Sequence, residues 1–211
     1  MFYLTKSSWW IKKIYRHCTW SIKVKEKLLY LSFDDGPHPR ITPLVLDELK
    51  RYGAKATFFC IGKNVAAYPD IYKRIIEEGH YVGNHSYSHF NGWKTADQVY
   101  LNDIADAKKY IDSNLFRPPY GKISFFQLAQ LSLPRFDLKP IMWSVLSGDF
   151  DNKISREKCL RNVVDNAKEG SIVVFHDSEK AFERMTFALA GTLKHFADKG
   201  YSFEKITPEI V

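Results

Sequence analysis

Two carboxylates stand side by side in Ser32-Phe33-Asp34-Asp35-Gly36-Pro37. On an extended strand they would point to opposite faces, but a strand end turning through Gly36-Pro37 lets Asp34 and Asp35 reach one cleft. One can then bind a metal ion while the other takes a proton; a merely solvated turn has the same composition. His85-Ser86-Tyr87-Ser88-His89 holds two imidazoles four residues apart, which predicts one side of a helical turn and reach to a single ion. Two surface histidines near a loop are the alternative. One aspartate with His85 and His89 makes three protein ligands and leaves positions open for water and a substrate oxygen, as in catalytic rather than structural metal sites.

Three more groups extend the set. Arg117 precedes Pro118-Pro119-Tyr120-Gly121, where two prolines stiffen the backbone and can fix both the guanidinium and a main-chain N–H. Beside a carboxylate, Arg117 would orient it and favour its charged form; away from one it would be a surface salt bridge before a turn. His176 follows the run Ser171-Ile172-Val173-Val174-Phe175. It should emerge at a strand end, where a histidine can act as general acid or as a capping residue. Asp149, in Ser147-Gly148-Asp149-Phe150, can hydrogen-bond it and raise its pKa.

Positioning these residues requires strands that end at them. Leu28 to Phe33 is a short apolar run opening into the aspartate turn, and Ile41, Leu44, Val45, Leu49 and Tyr52 follow at helical spacing before a second run, Ala56 to Cys60. The alternation continues with a helix near Pro69 to Glu78, a strand at Tyr81 to Gly83, and a helix from Thr95 whose Gln98 would complete a capping box. Strand-like runs at Ile141 to Val145 and Ile172 to Phe175 are each followed by a helix, and a last short strand is expected near Tyr201 to Phe203. Six or seven strands alternating with helices, with the reactive residues just after strands, predict a parallel barrel with its site on one rim. Few residues remain for eight complete units, so the α/β barrel should be shortened and irregular.

Composition bounds the rest. With 211 residues, 45% hydrophobic and 26% charged, the chain suits one globular domain with a full core. The net charge of +7 is concentrated in residues 1–27, where seven lysine and arginine side chains face Glu26 alone. That basic arm, interleaved with Phe2, Tyr3, Trp9, Trp10, Tyr15 and Trp20, would either pack across the open end of the domain with its lysines in water or lie on an anionic membrane surface. Nucleic acid is not an expected partner. No apolar run resembles a secretory signal or a membrane span, which predicts a cytoplasmic protein or one peripheral to the membrane. Cys18, Cys60 and Cys159 lack metal-type spacing and read as free thiols.

Taken in order, Ser32 to Pro37, His85 to His89, Arg117 to Gly121, Trp143 to Phe150 and Val173 to Asp177 resemble the five motifs of the polysaccharide deacetylase family, the NodB-homology domain of carbohydrate esterase family 4. The resemblance implies a distorted, shortened (β/α) barrel of about seven parallel strands, formed by residues 28–211 as the catalytic domain. It implies a divalent metal, zinc foremost with cobalt, nickel or iron also suited, held by Asp35, His85 and His89. Asp34 would be the general base, oriented by Arg117. The backbone N–H of Tyr120 would face the oxyanion, and His176, tuned by Asp149, would protonate the departing amine. The implied substrate is an acetylated glycan containing N-acetylglucosamine. Phe150 and Val174, with Pro119, would wall a pocket for the acetyl methyl. The fourth motif departs from the family pattern: Leu146 stands where an acid is common and Phe150 where a tryptophan is common, which weakens inference about the preferred glycan. Two other functions fit the same residues, a metal hydrolase of a small amide or cyclic imide and a non-catalytic carbohydrate-binding relic.

Overall fold

A computed structural model of the protein describes residues 4–211, so Phe2 and Tyr3 of the basic arm lie outside the described residues. Eight strands form one parallel sheet: β1 (Leu28–Asp34), β2 (Ala56–Cys60), β3 (Tyr81–Asn84), β4 (Leu115–Phe116), β5 (Lys139–Pro140), β6 (Val145–Leu146), β7 (Ile172–His176) and β8 (Ser202–Phe203). Seven follow the order β5-β4-β3-β2-β1-β7-β6 and curl into a half-barrel, while β8 pairs with the start of β1. Four of the strands span only two residues each, the physical form of the expected shortening.

Alternation along β1 separates two jobs. Leu29, Leu31 and Phe33 join the core beneath helices α2 (Ile41–Arg51), α7 (Arg156–Val164) and α8 (Phe182–Asp198), together with Phe58, Val173 and Phe175. Ser32 and Asp34 take the other face. In register, Phe33 lies between Phe58 and Phe175, with ring centroids 5.0 and 5.9 Å away. That stack anchors the backbone one residue before Asp34. Truncating Phe33 to alanine would cost about 3–5 kcal/mol.

Two sequence expectations change. The run Ile141 to Val145 is not one strand: β5 ends at Pro140 and β6 begins at Val145. Between them the backbone is diverted, because the Ile141 and Met142 carbonyls accept hydrogen bonds from Arg117 and the Met142 N–H donates to Thr19. The helix expected from Thr95 is α5 (Asp97–Ala107), whose N-cap Ala96 offers no side-chain bond. The capping box forms instead at Ser124 and Gln127, opening α6 (Phe125–Leu131). Helices α3 (Gly62–Ala67) and α4 (Pro69–Glu77) complete the outer layer.

The basic arm runs along the sheet's seam. Thr5 and Ser7 bond to Leu146 and Ser144, Thr19 to Pro140 and Met142, and Ile22 to Gly170. Cys18, Trp20 and Ile22 are buried, whereas Trp9, Trp10 and Ile14 on α1 (Trp9–Ile14) are exposed. Among the described residues no helix is long and apolar enough to cross a membrane, and the three cysteines are free and buried.

Candidate active site and metal centre

Strand ends deliver the reactive groups. Asp34 closes β1 and sits opposite His176, which closes β7. Asp35 follows with φ of 82°, a left-handed conformation unusual for a side chain with a Cβ. This turn brings both aspartates to one cleft. Gly36 is required by contact: a Cβ there would lie 2.2 Å from an Asp177 oxygen. Asp177 is fully buried and accepts a hydrogen bond from the Thr42 hydroxyl, bracing the turn from behind, and burial pushes its carboxyl up to about 7.

Asp35, His85 and His89 converge, with one ligand atom from each lying within 4.8 Å of the others. His89 Nε2 is 3.2 Å from Asp35 Oδ1, and His85 Nε2 is 3.8 Å from it. The histidines are not on a helical turn, as their spacing predicts. They occupy a loop after β3 in which Ser86 and His89 adopt φ of 63° and 61°. Side chains absent from the sequence argument hold this loop. Asp103 accepts from the N–H groups of Tyr87 and Ser88, Asn84 Oδ1 accepts from Ser86 N–H, and Ser86 Oγ accepts from His89 N–H. Asn64 donates to the Asp35 carbonyl at 2.7 Å. Asp103 left one visible signal, an acid on the apolar face of α5 beside Tyr100, Ile104 and Ala107.

The donor set fits a divalent cation. His85 Nδ1 lies 2.8 Å from the Arg117 carbonyl; a carbonyl only accepts, so Nδ1 carries the proton and the Nε2 lone pair faces Asp35. Burial pulls His85 down to about 4, keeping it neutral. Burial opposes the charge of Asp35, yet the close approach of His89 and the charges of the surrounding histidines hold it below the usual carboxylate range. Its Oδ1 is nevertheless buried without a hydrogen-bond partner, the condition of a ligand oxygen that protein groups do not satisfy.

Two charge pairs flank this centre. Arg117 is fully buried, and its Nη1 donates to Asp34 Oδ1 at 2.7 Å and to Ser32 Oγ at 2.8 Å. Its remaining donors reach the Ile141 and Met142 carbonyls, and the guanidinium lies 4.0 Å from the Phe59 ring centroid. The alternative of a surface salt bridge is thereby excluded. On the other side, buried Asp149 clamps His176, accepting from its backbone N–H and facing its Nδ1, both at 2.7 Å. Burial disfavours the imidazolium, but Asp149, followed by Asp35 and Asp34, outweighs it and raises His176 to about 10.

The remaining candidates sit on the rim. Tyr120 adopts φ of 59° within the turn Pro119–Gly121, and its ring lies 4.6 Å from that of His89. Phe150 meets His176 edge-on at 5.2 Å. Val174 and Pro119 are buried, so they can only back an apolar pocket from behind.

Comparison with known proteins agrees with this geometry. The profile of the polysaccharide deacetylase family matches residues 21–130. A peptidoglycan-N-acetylglucosamine deacetylase of Bacillus cereus is 36% identical over 200 residues, covering 90% of this chain and 92% of that protein. A chitooligosaccharide deacetylase of Azorhizobium caulinodans is 34% identical, covering 74% of this chain and 76% of its own. Among solved structures, the Bc1960 peptidoglycan N-acetylglucosamine deacetylase, in complex with 4-naphthalen-1-yl-N-oxidanyl-benzamide, superposes with a TM-score of 0.85 at 30% identity, covering 97% of this chain and 96% of that one. The chain belongs to the polysaccharide deacetylase family.

Proposed function

We propose that the protein hydrolyses the N-acetyl groups of an N-acetylglucosamine-containing glycan, such as peptidoglycan or a chitin-like oligomer, with a divalent ion held by Asp35, His85 and His89. The observation that carries this reading is the buried, unpartnered Oδ1 of Asp35 facing two imidazoles. The names of the bacterial relatives support the substrate class. Zinc suits one carboxylate and two imidazoles with open positions, and cobalt, nickel or iron suit the same donors. When bound, the ion supplies Lewis-acid polarisation of the acyl oxygen.

The chain's own residues do the proton work. Asp34, oriented by Arg117, takes a proton from the attacking water as its oxygen bonds to the acetyl carbon. The Tyr120 N–H is the candidate donor to the resulting oxyanion. His176 has Nδ1 engaged with Asp149, so Nε2 delivers the proton to the departing nitrogen as the C–N bond breaks. The products are acetate and a free amine. Phe150 would border the methyl group, backed from behind by Val174.

The decisive test is acetate release from N-acetylglucosamine oligomers by protein stripped of metal and reloaded with zinc or cobalt. Ion-dependent release is expected; release unaffected by stripping and chelation would reject the metal role, and no release with any ion would reject this substrate. A second contact is supported by the exposed Trp9 and Trp10 beside Lys12 and Lys13 on α1. Burial, then Lys6 and Lys168, lower the pKa of Lys12, marking a cationic cluster. An anionic membrane surface suits tryptophan and lysine together. Replacing both tryptophans with alanine should weaken cosedimentation with phosphatidylglycerol vesicles, and unchanged binding would reject that contact. Deleting the whole arm would be a poor test, because Cys18 and Trp20 are core residues.

A further inference from the structure

Asp149 acts on His176 from a segment without regular structure. Strand β6 ends at Leu146, and the Ser147 N–H still donates to the Val174 carbonyl. Beyond it the chain leaves the sheet: Gly148 takes φ of 79°, and its carbonyl accepts from the Asp151 N–H. Both carboxylate oxygens of Asp149 are committed to His176, so something else must hold the backbone that carries them. Arg184 supplies that hold. It is half-buried in the first turn of α8, where a cation opposes the helix dipole, so helix stability does not account for it. Its Nε donates to the Asp149 carbonyl at 2.7 Å, and its Nη2 donates to Asn152 Oδ1 at 2.5 Å and to the Lys180 carbonyl at 2.6 Å. One planar guanidinium thus ties two points of the turn to the segment that follows His176. Asn162 of α7 adds a bond to the Ser147 carbonyl at 2.9 Å.

We propose that Arg184 is a positioning residue for the acid step: by fixing the main chain of Asp149 it sets the direction from which that carboxylate meets His176 Nδ1, and hence the aim of Nε2 into the cleft. The proposal rests on the reading of His176 as general acid and names a further residue on which that acid depends. The charge of Arg184 and its position act on His176 in opposite senses. Burial and a nearby cation both disfavour the imidazolium, whereas the charge and hydrogen bond of Asp149 favour it. Removing Arg184 as a charge would therefore raise the His176 pKa, and removing it as the hold on Asp149 lowers that pKa.

The test uses Arg184→Met, which keeps the length without the donors, and Arg184→Lys, which keeps the charge and a donor, both loaded with zinc. On N-acetylglucosamine oligomers Arg184→Met should lose kcat by about 10- to 100-fold, with KM and bound zinc as in wild type. The alkaline limb of its kcat/KM should move to lower pH by about one unit. Arg184→Lys should show both changes in smaller degree. An alkaline limb that stays in place or moves to higher pH in both variants, whatever their melting temperatures, would overturn the proposal, because a merely structural role gives the first result and a charge effect the second. If the wild type releases no acetate, the deacetylase reading fails separately, and proton NMR titration of His176, assigned with His176→Gln, decides. A lower His176 pKa in Arg184→Met than in wild type would support the hold on Asp149, and an unchanged or higher one would overturn it.

Discussion

Asp34 and Asp35 are neighbours in the chain with opposite surroundings. Asp34 ends a core strand and receives a fully buried guanidinium that also reaches Ser32 and the Ile141 and Met142 carbonyls. Asp35 begins a left-handed turn, and its buried Oδ1 finds no donor. On the proposed mechanism, the carboxylate paired with a fixed guanidinium is held for proton transfer, and the one whose buried oxygen lacks a donor beside two imidazoles is held for a cation. A single peptide unit thus separates two chemistries, through a change in backbone conformation rather than in residue type.

Substitutions break this contrast at different strengths. The largest effect is expected from His85→Ala, which should abolish both ion binding and turnover, measured by metal content and acetate release. Arg117→Met comes next. It strands the Asp34 charge in the interior and should cost about 3–5 kcal/mol in urea denaturation, whereas a surface arginine would cost almost nothing.

Asp149→Asn acts on the other flank. His176, held at about 10 by Asp149, is an imidazolium acid throughout the neutral range. Without that carboxylate its pKa falls, so the alkaline limb of kcat/KM should move to lower pH, with a loss of about tenfold at pH 9. The sign for stability is the same. A folded-state pKa above the ordinary 6.5 gives stabilisation that is complete below 6.5 and lost as pH rises through about 10. The variant should therefore be least stable relative to wild type in mildly acid solution. Asp103→Asn is the mildest change: it loosens the loop that carries both histidines and should weaken ion affinity by about tenfold, read by competition with a chelator.

Much of the site was legible because its residues sit at strand ends that hydrophobic runs reveal. Leu28 to Phe33 and Ile172 to Phe175 place Asp34 and His176 directly, and the five motifs in order point to the family. The illegible parts are tertiary. The spacing of His85 and His89 suits a helix, but Asp103 and Asn84 hold that segment as a loop through backbone bonds from distant or neighbouring elements. The apolar run at Ile141 looks continuous, yet Arg117, far away in sequence, claims its carbonyls. The bracing of Gly36 by Asp177 likewise depends on a close approach that no periodicity encodes.

The division between the two aspartates is tested most directly by preparing Asp34→Asn and Asp35→Asn in parallel, equilibrating both with zinc, and measuring bound ion and acetate release on the same samples. Asp34→Asn should retain the ion and lose turnover by about 10²–10⁴-fold, while Asp35→Asn should lose both. Ordinary turnover by Asp34→Asn, or equal loss of ion from the two variants, would contradict the division.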